Sequence, residues 1–320
     1  MNLYDQQKRN LANTRWFIFG FLLLLAILGL GADGVLYGAG VTPGLPIATL
    51  GAMCLGGFSA WWSLHGGDQA ILESTHAAPF DPSDPKQRVL DNVVEEVAIA
   101  AGIPKPAIYV IPDADPNALA TGSGPERASI AVTRGLLEKL NRDELQGVVA
   151  HELSHVKNYD IRVMTVVAAL AGAILLLADW SRRGLWWGGR SRDSSRGGGG
   201  LGILFGIVWL VSIVLAPIIA QIVSLAVSRQ REYLADASGA ELTRNPLGLA
   251  AALQKIEDAV EPTPSIKQGI AHLCIADSRG RIVNEREGFF SDLFSTHPPI
   301  AKRIALLREM AYQPRTPGGV

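Results

Sequence analysis

Two histidines four residues apart, with a glutamate directly after the first, stand in GVVAHELSHVKNYD, residues 147–160. On an α-helix, positions i and i+4 project about 40° apart, so His151 and His155 share a face and can hold one ion. Zinc accepts imidazole nitrogen, and a catalytic zinc site keeps one position open for water. Glu152 is close enough to take a proton from that water, which is the division of labour on an H-E-x-x-H helix. Without metal, the same pattern reads as two histidines on a helix face. Asn141, Arg142, Asp143 and Glu144 precede the motif, and Lys157, Asn158 and Asp160 follow it. Such polar flanks do not suit hydrocarbon, which argues against a protease whose motif lies inside a membrane span.

A His₂Glu set needs a carboxylate from elsewhere in the chain. SRQREYLADASGA (228–240) offers Glu232 and Asp236, again at i and i+4. Glu232 is the expected third ligand, and Asp236 would orient His151 by accepting its other ring N–H. Taken alone, the pair also reads as a solvated acidic face beside Arg229 and Arg231; next to HELSH, the ligand reading is stronger. FSTHPPIAKRIALL (294–307) sets His297 before two prolines, with Arg303 six residues on. These two could bring positive charge to the oxyanion of a tetrahedral intermediate, or form a proline-bounded helix start with a solvated arginine. His65, His76 and His272 lack ligand spacing and read as structural.

The elements that must carry these residues include long apolar runs. Hydrophobic residues make up 48% of the 320 and charged residues only 18%. Residues 16–32, 34–64, 163–178 and 197–228 are almost free of charge, the last with Pro217 as a kink. A membrane span takes roughly 20 apolar residues; the first, second and fourth runs meet that length, and the third is marginal. The fold expected is mainly α with a small β-sheet, carried on about four transmembrane or membrane-embedded helices. Residues 1–64 form an N-terminal hairpin, 65–160 a first catalytic part, 161–228 a membrane helix pair, and 229–320 a second catalytic part. An Arg- and Gly-rich linker, 181–200, divides the pair. The HELSH helix is expected to run on into the third run. The eight residues from His155 to Val163 rise about 12 Å, which puts the metal just above the bilayer.

Between the runs, VLDNVVEEVAIAAG predicts a helix ending at Gly102. AIYVI and ASIAVT predict two strands joined through the turn-rich TGSGPER, and ASIAVT could offer an edge to an extended peptide. Asn141 with Glu144 three residues on predicts a capping box for the HELSH helix. Lys8, Arg9 and Arg15 before the first run, and no positive charge after it, put the N-terminus and the catalytic parts in the cytoplasm; the arginines of 181–200 oppose this unless the pair is re-entrant. A formal net charge of −1 gives no reason to expect nucleic acid. Cys54 and Cys274 are too isolated for a disulfide framework or a CxxC site.

Together NALATG (117–122), AVTRGLL (131–137), the HELSH stretch, REYLADASGA (231–240) and STHPPIAKRI (295–304) resemble the HtpX-type membrane zinc metallopeptidases, relatives of the CAAX prenyl endopeptidases. The resemblance runs to about residue 310 and implies a gluzincin-like endopeptidase of the cytoplasmic (inner) membrane with one Zn²⁺ per chain. Its implied substrates are misfolded or damaged membrane proteins and unfolded chains at the cytoplasmic surface, under heat or envelope stress. It makes His151, His155 and Glu232 zinc ligands, Glu152 the general base and Asp236 the support of His151. It raises His297 to a transition-state stabiliser with Arg303 near it, and gives Asn117 a contact with substrate backbone. A membrane holdase with structural zinc and a CAAX-type prenyl-protein endopeptidase are the alternatives.

Overall fold

The computed structural model describes residues 3–38, 45–167, 229–259, 273–276 and 298–312, with isolated positions at 170, 207, 211, 214 and 215. The first two apolar runs form an antiparallel helical hairpin, α1 (Leu3–Gly38) and α2 (Ile47–Ser74). Pro46 provides no side-chain cap for α2. Asp33 supplies it from the other helix, accepting the Ala48 and Thr49 amides at 2.8 and 2.9 Å and the Thr49 hydroxyl at 2.6 Å. A carboxylate thus satisfies the open donors of a helix start and ties α1 to the start of α2.

Both helices are long and apolar enough to cross a bilayer, and only 22% and 17% of their apolar windows are buried in protein. Trp16, Phe19, Leu23, Ile27 and Leu30 on α1, and Leu50, Leu55, Phe58, Trp61 and Trp62 on α2, are 50–69% exposed. A continuous apolar surface of this size is unsustainable in water, whereas lipid covers it without cost. Four membrane segments were expected; two candidate spans are found among the described residues. The third run begins as helix at 161–167, and Val163, Met164, Val166 and Val167 are buried rather than facing lipid. They pack against Phe17, Phe21 and Leu25 of α1 and Ile71 and Leu72 of α2. Most of the remainder of the third and fourth runs, and the whole 181–200 linker, lie outside the described residues.

Beyond the hairpin, β1 (Ala78–Pro79) leads into α3 (Pro85–Ala101). Asp84 caps α3 by accepting the Lys86 and Gln87 amides, proline takes the first helical position, and Gly102 ends it at φ 68°. That is the sequence pattern of a helix start and stop. β2 (Ala107–Ile111), β3 (Ala118–Gly122) and β4 (Ala128–Thr133) complete a four-stranded sheet of order β1-β2-β4-β3. β4 pairs parallel with β2 and antiparallel with β3, so both of its sides are used. ASIAVT is therefore an interior strand, not an edge; β3 lies outside it, and the start of β3 is itself met by the Leu119–Cys274 bridge and by the Ile275 amide, which donates to the Ala118 carbonyl at 2.9 Å.

α4 (Arg134–Lys139) and α5 (Arg142–Lys157) follow the sheet. α6 (Arg229–Thr243), α7 (Pro246–Glu257) and α8 (Ile300–Tyr312) come from the far side of the membrane runs. One apolar core joins both parts: Leu90, Val94, Ile130 and Val149 share it with Leu249, Leu253, Ile304 and Leu307.

Candidate metal centre

α5 starts with the anticipated capping box: Asn141 accepts the Glu144 amide at 3.0 Å, and Glu144 accepts the Asn141 amide at 2.8 Å. From Leu145 on the helix runs through the core, and residues 147–156 are all buried. It does not continue straight into the third run. Asn158 and Tyr159 form a turn with Tyr159 at φ 59°, and helix resumes at Asp160. A left-handed non-glycine residue breaks the direction of the chain, so the carboxylate of Asp160 turns back toward His155.

α6 packs directly on α5. At Gly239 a Cβ would lie 3.0 Å from the backbone nitrogen of His151, so glycine sets how closely the two helices approach. That approach brings Glu232 and Asp236, on one face of α6, to the two histidines. His151 Nε2 lies 3.3 Å from His155 Nε2, and 3.7 Å from Glu232 Oε2; His155 Nε2 is 3.5 Å from Glu232 Oε1. One ligand atom from each residue falls within 4.8 Å of the others, and all three residues are buried.

The remaining ring nitrogens are engaged by carboxylates. His151 Nδ1 is 2.9 Å from Asp236 Oδ1, and His155 Nδ1 is 3.1 Å from Asp160 Oδ2. Each carboxylate accepts a hydrogen bond from Nδ1–H, so that whenever the rings are neutral their Nε2 lone pairs face each other. Two lone pairs and a carboxylate converging in a buried space repel unless a cation lies between them. Zinc–nitrogen and zinc–oxygen bonds of about 2.0–2.2 Å would hold tetrahedral ligand atoms about 3.3–3.6 Å apart. The observed 3.3–3.7 Å separations fit such an ion.

Arg303, wholly buried on α8, grips Asp236 with two hydrogen bonds: Nε donates to Oδ2 and Nη2 to Oδ1, both at 2.8 Å. Nη1 donates to the Ile275 carbonyl at 2.9 Å. The guanidinium is thereby committed to orienting the residue that orients His151. Burial would raise the Asp236 carboxyl, but the Arg303 charge and hydrogen bonds overcome it and hold the carboxyl at about 2. Burial lowers the His151 pKa. It would lower His155 too, yet the Asp160 hydrogen bond and the charges of Glu232, Asp160 and Glu152 raise that imidazole to about 9. The space among these carboxylates favours positive charge.

Glu152 lies beside the cluster on the same buried turn, with 2% of its surface exposed. Burial drives its carboxyl up to about 7, against the opposing influence of His155, Arg303 and a hydrogen bond from the Ala120 amide. A carboxylate beside the cluster is the group placed to take a proton and return it. Ala120 is on β3, so the sheet edge reaches the cluster. Asn117, just before β3, is 1% exposed, donates from its amide to the Ala276 carbonyl at 3.3 Å and accepts the Ala118 amide at 3.0 Å. Its polar ends therefore meet protein groups that fix the start of that edge. His297 and His272 lie outside the described residues. His65 sits on α2, stacked on Trp61, and His76 ends that helix at φ 56°.

Asp160 escaped the sequence reading, which treated it only as a polar flank. On a straight helix, position i+5 turns about 140° away from i, so HELSHVKNYD gives no hint that Asp160 faces His155. The Asn158–Tyr159 break supplies the missing rotation.

The model of peptidase family M48 matches residues 84–311. A protease HtpX homolog of Caldanaerobacter subterraneus subsp. tengcongensis is 42% identical over 319 residues, covering 96% of this chain and 98% of its own. One from Pyrococcus furiosus is 43% identical over 295 residues, covering 91% and 95%. The crystal structure of S. mikatae Ste24p superposes with a TM-score of 0.50 at 19% identity, covering 95% of this chain and 66% of that one; at that identity the likeness concerns the fold alone. The chain belongs to peptidase family M48, and the expected HtpX-type resemblance is borne out over nearly its whole length. With its exposed apolar hairpin and buried His–His–Glu cluster, it is a membrane metalloprotease.

Proposed function

We propose that the chain is a zinc-dependent endopeptidase that hydrolyses peptide bonds of misfolded or damaged membrane proteins, at the cytoplasmic surface of the inner membrane. The observation that carries the reading is the buried Glu152 carboxyl beside three converging ligand atoms. Bound by His151 Nε2, His155 Nε2 and Glu232, a zinc ion would supply Lewis acidity toward a substrate carbonyl and a water. Glu152 takes the proton of the attacking water onto its carboxylate and returns it to the leaving amine. Asp236 and Asp160 keep the two rings in the tautomer that presents Nε2, and Arg303 keeps Asp236 in place. His297 is assigned to steady the oxyanion, on the strength of STHPPIAKRI alone. The start of β3 is not assigned to substrate, because the Ile275 amide donates to the Ala118 carbonyl at 2.9 Å and Asn117 bonds the Ala276 carbonyl and the Ala118 amide.

The test compares wild type with Glu152→Gln in detergent, both loaded with zinc, on an unfolded membrane-protein substrate. Hydrolysis is expected to fall by roughly 10²–10⁴-fold while zinc content stays the same. Undiminished cleavage by a zinc-loaded Glu152→Gln enzyme would remove Glu152 from the mechanism.

A further inference from the structure

Asn10 is a polar residue only 2% exposed near the start of α1. Its side-chain amide donates both protons to the turn beneath the metal centre: Nδ2 is 2.7 Å from Asp160 Oδ1 and 2.8 Å from the Asn158 carbonyl. The first contact holds the oxygen of Asp160 opposite the one that meets His155 Nδ1. The second ties down the residue where α5 breaks. One amide therefore spans the break that turns Asp160 toward the histidine. A cation also stands near Oδ1, Arg231 Nη1 at 3.7 Å, within ion-pair reach but beyond hydrogen-bond length. Thr14, one turn on and equally buried, donates back to the Asn10 carbonyl within α1 at 2.9 Å.

We propose that Asn10 is a positioning residue of the metal centre, acting through Asp160, so that the first membrane helix is part of the site and not only its anchor. This rests on the reading of His155 as a metal ligand. A carboxylate with a single fixed oxygen can rotate about its Cβ–Cγ bond; held at both oxygens, Asp160 presents one geometry to the imidazole. Residues that hold metal ligands in this way are worth about 10–100-fold in metal affinity, and Asn10, one step further out, is assigned the lower end. By reciprocity, metal binding must favour the docked position of α1 as much as docking favours the metal.

The experiment measures Zn²⁺ affinity by chelator competition on the full-length protein in detergent. The variants are Asn10→Leu, Asn10→Asp (same shape, both donors lost), Thr14→Val, Asp160→Asn and the Asn10→Leu/Asp160→Asn pair. Wild type must bind one Zn²⁺ and His151→Ala must lose it; failure of either removes the metal reading itself. Given that, both Asn10 variants are expected to bind roughly tenfold more weakly and Thr14→Val as wild type. The double variant is expected to bind no more weakly than Asp160→Asn alone. Equal affinity of the Asn10 variants and wild type overturns the proposal, as do losses that simply add in the pair. As a second readout, Zn²⁺ should slow hydrogen exchange in the segment around Asn10 in wild type but not in Asn10→Asp; equal slowing in both also overturns it.

Discussion

At the scale of single residues, the centre is built as two parallel chains of support. His151 rests on Asp236, which rests on Arg303; His155 rests on Asp160, which rests on Asn10. The arms differ in charge. Asp236–Arg303 is a buried bidentate ion pair, whereas Asp160 is hydrogen-bonded by a neutral amide, with the Arg231 guanidinium 3.7 Å away. Asp236→Ala and Asp160→Ala are each expected to weaken zinc binding about 10–100-fold, read by chelator competition at fixed pH. Arg303→Leu acts differently, because it strands the Asp236 carboxylate without its partner in the core. Removing one partner of a buried pair costs about 3–5 kcal/mol, so the metal-free variant should melt far below metal-free wild type. A melting point unchanged within error would mean that water reaches Asp236 and that the guanidinium is not the clamp described here.

At the scale of elements, local chemistry and tertiary approach divide the work. The capping box of α5, the Gly102 stop of α3, and the shared faces of His151/His155 and Glu232/Asp236 follow from residue type and helical period, and were legible in the sequence; the start of α3 at Asp84, one turn before VLDNVV, was not read. β3 was not: Ala-Leu-Ala-Thr-Gly has neither β-branched enrichment nor alternation, and becomes a strand because β4 offers it an open side. The same omission made ASIAVT look like an edge. Asp160 was illegible because a left-handed tyrosine redirects its helix, and no i+5 rule anticipates that. One local feature gives a pH-dependent test. The Asp84 carboxyl lies below its ordinary 3.8, chiefly through the Lys86 amide hydrogen bond. A carboxyl depressed by folding contributes stability above its unfolded pKa and loses it as pH falls through the folded value. Asp84→Ala should therefore melt below wild type at pH 7, with the gap closing below about pH 4. A gap that stays constant down to acid pH would mean that the ionised cap contributes nothing.

At the scale of the whole molecule, the exposed aromatic residues locate the membrane. Trp16 to Leu30 on α1 and Ile47 to Trp62 on α2 each rise about 21–23 Å at the helical pitch, somewhat less than a hydrocarbon core of roughly 30 Å. Trp16 and the Phe58–Trp61–Trp62 group lie at the ends of the band nearer the catalytic part, where such side chains favour the interface. Asn10 is six residues beyond Trp16, about 9 Å further out, and touches the turn that carries Asp160. With the bilayer placed on that band, the metal centre would stand clear of the hydrocarbon but tied to it. The two cysteines give this placement a direct check. Cys274 is buried in the catalytic part, and Cys54 is exposed on α2, seven residues or about 10 Å below Trp61 and so within hydrocarbon. In proteoliposomes a membrane-impermeant, water-soluble maleimide should label neither thiol, and after denaturation in detergent it should label both. An apolar maleimide should reach Cys54 in the intact bilayer while leaving Cys274 unmodified. Rapid labelling of Cys54 by the water-soluble reagent would mean that α2 lies in water. The exposed apolar face would then need a protein partner in place of lipid, and the link between the first helix and the metal centre would no longer couple the site to the membrane.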